Sequence, residues 1–288
     1  MNYLLYNELA DAEEGAKNAA RVAEELKAHG FEIGEMTSLI NLDVQDFFKK
    51  RKAEDKVVIF GGDGTMNHFV NNIGDVKIDC ELYLNPTGTG NDFQRDLAAE
   101  DKVEDLGIYR INKYVEGLPL VEVKGKTYRF LNGIGFGIDG ECCVKAEEMK
   151  AAGEKNINYG SITVGLLMGP YVPPTATIKV DGGEPIVLKK AYLASAMNGR
   201  FYGGGMMIAP AQRRNSGKLT VVCIHGRGKI GTLLLFPKLF KGTHVAKKKA
   251  VFLQTGKTIE VEFDRPCGLQ IDGEVLVGVT SYKAYLPE

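Results

Sequence analysis

The sequence predicts two domains: an amino-terminal α/β domain on a doubly wound parallel sheet, followed by an all-β domain of antiparallel strands. Three observations carry this reading. At 288 residues the chain is longer than one hydrophobic core ordinarily supports. Its first third alternates short apolar runs with helical patterns, the mark of a parallel sheet covered by helices on both faces. After about Gly117 the pattern changes to successive short strands broken by glycine and proline turns. The expected boundaries are 1–117 and 118–280, with 281–288 a final strand that either domain could claim. Two domains leave a cleft, and the active site is expected in it.

In the first domain, strands are expected at 3–7, 31–36, 57–60 and 82–85, with helices near 13–29, near 44–52 and from 65. The first helix carries Ala19, Val22, Ala23 and Leu26 on one stripe and stops at Gly30, which can take the left-handed conformation that closes a helix. In the second domain, strands are expected at 120–123, 127–131, 176–180, 186–196, 219–224, 250–254, 258–263 and 269–271. Together they suit an antiparallel sandwich or barrel, interrupted by helical insertions near 139–151 and 229–241.

Acidic and basic residues nearly cancel, giving a formal charge of -1, so nothing global draws the protein to nucleic acid or to an anionic membrane. Any membrane contact must be local. Residues 1–7 show no basic leader, and no apolar run approaches the roughly 18 residues of a membrane span, so a cytoplasmic location is expected. Cys80, Cys142, Cys143, Cys223 and Cys267 lack CxxC spacing and include an adjacent pair. They are expected to be reduced packing residues.

The strongest chemical signal is Val57-Val58-Ile59-Phe60-Gly61-Gly62-Asp63-Gly64-Thr65, followed by Met66, Phe69, Val70 and Ile73 at helical spacing. This is a buried strand, a glycine turn and a helix. Glycines let backbone amides approach a phosphate, and the start of a helix adds partial positive charge and unpaired donors. The run is neither GxGxxG nor the Walker loop GxxxxGK[ST], because Asp63 stands where a polyphosphate would approach. A carboxylate there repels bare phosphate, so a metal is implied. The plainer alternative is a tight turn with Asp63 capping the helix.

A second glycine loop, Asn85-Pro86-Thr87-Gly88-Thr89-Gly90-Asn91-Asp92-Phe93, follows the next strand. Parallel topology puts both loops at the same sheet edge, where ligands of such sheets bind, with Asp63 and Asp92 facing one another. Two carboxylates and two glycine loops suit hydrated magnesium held against phosphate oxygens.

The pair GGDGT and GTGNDF resembles the catalytic domain of the diacylglycerol kinase family and its bacterial lipid kinase relatives. NAD kinases share the first motif, and the second favours the lipid branch. Further matching pieces follow in family order: Asn132-Gly133-Ile134-Gly135-Phe136-Gly137, Gly203-Gly204-Gly205-Met206 with Ala209-Pro210, and Asp272-Gly273-Glu274. The resemblance implies a carboxyl-terminal β-sandwich, an interdomain site, and transfer of the γ-phosphoryl group of ATP, with Mg²⁺, to a hydroxyl of a lipid alcohol at a membrane surface. Diacylglycerol or a related glycerolipid is the acceptor it favours.

The resemblance also implies roles. Asn7, Thr37, Gly61, Gly62, Asp63, Gly64, Thr65, Met66, Asn67 and Thr89 match nucleotide-contact positions; Asp63 and Asp92 are the expected metal ligands. Glu274 matches a general base for the acceptor hydroxyl, and Asp63 is its rival. An exposed hairpin glutamate is the alternative for Glu274, since Asp-Gly is a common turn pair. Where the family has an Asp-Asp-Gly run near a structural magnesium, this chain has Asn215-Ser216-Gly217-Lys218, which leaves the carbonyls of Arg213 and Lys218 as weak ligands.

His68 is read as a solvated or packed helix residue, and Asp139 as either an acidic partner in the site or a helix cap. The segment 230–241, with Lys247, Lys248 and Lys249 beyond it, is read as a helix packed on the sandwich, with a membrane-dipping face as the alternative. Sandwich edges leave a homodimer open. Two further functions stay open: a kinase of NAD or another soluble acceptor, and a weakened member that binds nucleotide or lipid as a regulator.

Overall fold

The computed structural model describes residues 1–9, 14–88, 90–154, 156–169 and 171–287. They form two compact units, Met1–Gly117 and Leu118–Glu288.

In the first unit, strands β1 (Asn2–Tyr6), β2 (Glu35–Ser38), β3 (Lys56–Gly61) and β4 (Glu81–Pro86) are parallel in the order β2-β1-β3-β4. Two short antiparallel strands, β5 (Lys102–Val103) and β6 (Ile108–Arg110), extend the β4 side. Alternation along a strand sends Leu4, Val58 and Phe60 to one face, where they share a core with Ala19, Val22 and Leu26 of helix α1 (Gly15–Ala28). The opposite face meets α2 (Val44–Lys49) and α3 (Asp63–Ile73). There Tyr3 meets Phe47 edge-on at 5.5 Å between ring centroids, and Phe48 lies 5.5 Å from Phe69. Helices thus cover both faces.

Local chemistry sets the helix ends. Gly30 (φ 81°) closes α1 in a Schellman arrangement: its amide donates to Lys27 O, and that of Phe31 to Leu26 O. The Asp43 carboxylate caps α2 by accepting from the Asp46 amide at 2.9 Å.

The second unit is an antiparallel sheet in the order β16-β15-β12-β9-β17-β18-β7-β8, with β10 paired to β17 and β11 to β10. Its strands are β7 (Leu120–Val123), β8 (Lys126–Arg129), β9 (Gly133–Phe136), β10 (Ala176–Val180), β11 (Ile186–Leu188), β12 (Leu193–Met197), β15 (Leu219–Ile224), β16 (Val251–Gly256), β17 (Thr258–Ile271) and β18 (Glu274–Tyr285). A separate two-stranded piece joins β13 (Phe201–Tyr202) to β14 (Met206–Met207). The largest core cluster of this unit includes Phe136 stacked on Phe263 at 3.9 Å between ring centroids.

Several expected elements differ from those observed. Residues 258–263 and 269–271 belong to one strand, β17, whose register against β18 shifts between Glu262 and Leu269. Pro266 lies in that interval and has no amide to donate, so the ladder breaks without the chain turning. Residues 186–196 divide into β11 and β12 because Lys190 adopts φ 53°. The helix expected near 229–241 is two, α7 (Lys229–Leu233) and α8 (Phe236–Phe240), since Pro237 belongs in the first turn of a helix and not inside one. The residues from 281 pair with β17 and β7 in the second unit. Besides α4 (Asn112–Val115) and α5 (Ile138–Ala151), helix α6 (Tyr159–Met168) was not foreseen, because its apolar residues are not confined to one stripe.

Candidate active site

The parallel strands end level. Tyr6 lies opposite Ser38 on one side and Phe60 on the other, and Phe60 lies opposite Asn85. The chain leaves β1 towards one side of the sheet and returns to β3 on the other, so the order reverses between these two strands. A crevice beyond the carboxyl ends of the strands at such a reversal is where ligands of doubly wound sheets bind. Asn7 follows β1 and Gly62-Asp63 follow β3, so both flank it.

The glycines of the first loop answer different demands. A side chain on Gly61 would come within 2.4 Å of Thr65 Cβ, and one on Gly62 within 2.7 Å of the Thr87 carbonyl oxygen. Packing against Thr65 and the second loop therefore requires both. A side chain on Gly64 would meet no atom within 4 Å among the described residues, so packing does not require this glycine.

Asp63 opens α3, and its carboxylate ties the two loops together. Oδ2 accepts from the Asp92 amide at 2.8 Å and Oδ1 from the Phe93 amide at 2.9 Å. The Thr87 amide adds a bond to Gly61 O at 3.2 Å, and Asn91 Nδ2 donates to Gly88 O at 3.0 Å. Phe93, fully buried against Tyr114, anchors the far end of the second loop. Asp92 is itself buried.

The remaining nucleotide-contact candidates are placed as follows. Thr37 lies on β2 opposite Leu5, its hydroxyl 3.2 Å from Glu35 Oε1. Asn7 Oδ1 accepts from the Leu9 amide at 2.9 Å. Thr65 and Asn67 are buried in the first turns of α3, and Met66 points into the core. Thr89 lies outside the described residues. His68 is exposed on α3, with Asn72 Nδ2 bonded to its carbonyl.

In the second unit, Asp272 and Gly273 form the two-residue turn between β17 and β18, with φ 48° and 101°, as a type I′ hairpin requires. The Asp272 carboxylate accepts from three successive amides, Leu131 at 2.5 Å, Asn132 at 2.8 Å and Gly133 at 3.0 Å. The Gly273 amide donates to Gln270 Oε1 at 2.7 Å. Glu274, the first residue of β18, is exposed and follows a turn held on two sides. Sequence reasoning gave Asp272 no role; an aspartate before glycine signals the turn, but not the three amides.

Asp139 begins α5 over Gly135, where Gln270 Nε2 donates to its Oδ2 at 3.0 Å. Burial raises its pKa from 3.8 to about 6, and hydrogen bonds from Gln270 and Tyr202 offset only part of that rise. Asp139 and Tyr202 border a cavity of about 50 Å³ whose apolar lining includes Leu193, Ile208, Ile224 and Leu239. The carbonyls of Arg213 and Lys218, weak candidates for a structural magnesium, both accept from Gln212 Nε2, at 3.1 and 2.8 Å. A side-chain amide thus gathers these oxygens.

Among the described residues no three histidine, cysteine or acidic side chains group to hold a metal ion by themselves, and no helix is long and apolar enough to cross a membrane. The five cysteines are free thiols, all but Cys143 buried.

Comparison with known proteins agrees with this architecture. The sequence model of the diacylglycerol kinase catalytic domain matches residues 2–119, and that of the YegS C-terminal NAD kinase beta sandwich-like domain matches residues 132–288. The chain belongs to this family of lipid kinases, a class of phosphotransferases. Over 215 residues it is 27% identical to a diacylglycerol kinase of Mycobacterium tuberculosis, covering 73% of this chain and 68% of that protein. A diacylglycerol kinase of Bacillus subtilis is 24% identical over 280 residues, covering 94% and 88%. Among solved structures, a diacylglycerol kinase of Bacillus anthracis matches with a TM-score of 0.62 at 19% identity, over 99% of this chain and 93% of that one. Such identity shows likeness of fold.

Proposed function

We propose that the protein transfers the γ-phosphoryl group of ATP, with Mg²⁺, to a hydroxyl of diacylglycerol or a related glycerolipid. The observation that carries this reading is the Asp63 carboxylate joining two glycine loops beyond β3 and β4, beside the reversal of strand order. The amides at the start of α3 have no acceptor within the helix and suit phosphate oxygens. Among the described residues no atom stands within 4 Å of where a Gly64 side chain would project, which lets a ligand approach that backbone.

The residues fit magnesium in the way kinases hold it. The ion keeps several waters and needs only one or two carboxylates beside the nucleotide's phosphates. Asp63, at the junction of the two loops, and Asp92 beside it are the two carboxylates proposed for that role. When bound, the ion neutralises charge on the transferring phosphoryl group.

Glu274 is the proposed general base. Its carboxylate takes the proton of the acceptor hydroxyl as the oxygen bonds to the γ-phosphorus and the bond to the β-phosphate oxygen breaks, leaving ADP. The held turn at Asp272-Gly273 supports this role by fixing where the strand begins.

The test is transfer of γ-labelled phosphate to a panel of lipid alcohols, with NAD as a control acceptor, by wild type, Asp63→Asn and Glu274→Gln. Label in a lipid with wild type, and at least 100-fold less with either variant, is the expected result, an order general-base loss supports. Label in NAD moves the protein to the other branch of its superfamily. No transfer to any acceptor refutes the kinase reading and leaves a binding role.

A further inference from the structure

The near-neutral total charge hides an uneven distribution. Between Glu184 and Glu260 the chain has no aspartate or glutamate, against fourteen lysines and arginines. This stretch includes α7 and α8. Helix α7 packs beside α6: Leu233 joins Leu166 and Leu167 in one apolar cluster, and Lys229 Nζ donates to the carbonyl of Gly169.

Several exposed residues of these helices are apolar. Helix α6 carries no charged residue, and of its ten residues only Leu167 is buried. Tyr159, Val164 and Met168 are exposed on it, and Val172 just beyond it. On α7, Ile230 is 67% exposed, and Leu234, the residue after it, 68%. Phe240 is exposed at the end of α8, whereas Leu235 and Leu239 turn inward to the core. A single exposed aliphatic side chain means little, but a group of this kind on neighbouring helices marks a contact surface.

Lysines accompany it. Lys238 and Lys241 flank Phe240, and Lys247, Lys248 and Lys249 follow within a few residues, the last three exposed. Among the described residues none of these five lysines forms an ion pair with a carboxylate. Two copies of the chain meeting through this face would set like charges together. An anionic lipid surface complements both features, taking the apolar tips at the headgroup boundary and the lysines at its phosphates.

We propose that α6, α7 and α8, with the lysines beside them, form a docking face for an anionic bilayer, Ile230, Leu234 and Phe240 entering its headgroup boundary. Helices this short cannot span the bilayer, so attachment is peripheral and reversible.

The test is flotation of the full chain with vesicles, without nucleotide or acceptor, so that its result is separate from phosphoryl transfer. Wild type is expected to float with phosphatidylglycerol–phosphatidylcholine vesicles, to stay behind with phosphatidylcholine alone, and to be released as salt rises. The double variant Ile230→Asp/Leu234→Asp should bind at least tenfold more weakly. Neutralising Lys247, Lys248 and Lys249 to glutamine should weaken binding by up to about fivefold for each lysine. Melting temperatures equal to wild type show that both variants fold. Equal binding to both vesicle types, no binding to either, a double variant that binds like wild type, or self-association through these residues without vesicle binding would each overturn the proposal.

Discussion

The Asp63 carboxylate gives the sharpest test of how the two glycine loops are held. It accepts two backbone amides, from residues 29 and 30 positions further along the chain. Asparagine in its place keeps one oxygen and turns an NH₂ group towards the other amide. One charge-assisted bond is then lost, worth about 1.5–3 kcal/mol, and two donors face each other. Asp63→Asn should therefore destabilise the first unit by about 3 kcal/mol and lower its melting temperature by roughly 10 °C in the absence of ligand. Hydrogen exchange at the Asp92 and Phe93 amides should speed up ahead of the strand amides of β3 and β4. Unchanged melting together with unchanged exchange at these two amides would refute the clamp, whatever happens to phosphoryl transfer.

Three further perturbations separate packing from ligand chemistry. Gly64→Ala should leave the unliganded fold as stable as wild type or up to about 1 kcal/mol more so, since helix favours alanine, while equilibrium titration shows ATP binding at least tenfold weaker; equal ATP affinity would remove Gly64 from the site. Asp272→Asn withdraws charge from three amides and should cost about 3 kcal/mol in urea unfolding, an expectation that an unchanged midpoint would refute. Asp139 has a folded pKa of about 6 against 3.8 unfolded, so the native state holds its proton longer and its stability contribution falls as pH rises across that interval. Asp139→Asn should accordingly gain stability over wild type between pH 4 and pH 6, reaching up to about 3 kcal/mol above pH 6; a difference that does not vary with pH would show that Asp139 is ordinarily solvated.

How much of this was legible in the sequence follows from the range of each interaction. Strand, loop and helix at Val57–Ile73 depend on neighbours in sequence, through apolar spacing and glycine, and could be read directly. The same holds for the close of α1 at Gly30. Strand breaks were less legible: Pro266 reads as a turn until pairing partners on both sides are known, and Lys190 carries no sign of its left-handed conformation. The site's second layer could not be read, because Asp63 with Asp92 and Asp272 with Leu131 are contacts between distant segments. Gln212 shows the limit plainly, since nothing local says that its amide collects the carbonyls of Asn198, Arg213 and Lys218.

These contacts also bear on which carboxylate takes the acceptor's proton. Both oxygens of Asp63 already accept amides that hold the second loop, so turning this side chain towards a hydroxyl would loosen the clamp it maintains. A side chain held by two amides suits the fixed ligand geometry of the proposed hydrated magnesium better than movement with a proton. Glu274 carries no such duty. Asp272 and Gly273 bear the constraints of the turn, through three amides in one case and Gln270 in the other, and leave the next side chain in solvent. A base must meet the hydroxyl and then release its proton, and an exposed carboxylate on a rigid turn can do both without disturbing the fold. Under the proposed function, Asp63 therefore organises the phosphate end and Glu274 serves the acceptor, and Asp63→Asn should lose stability and transfer together where Glu274→Gln loses transfer alone.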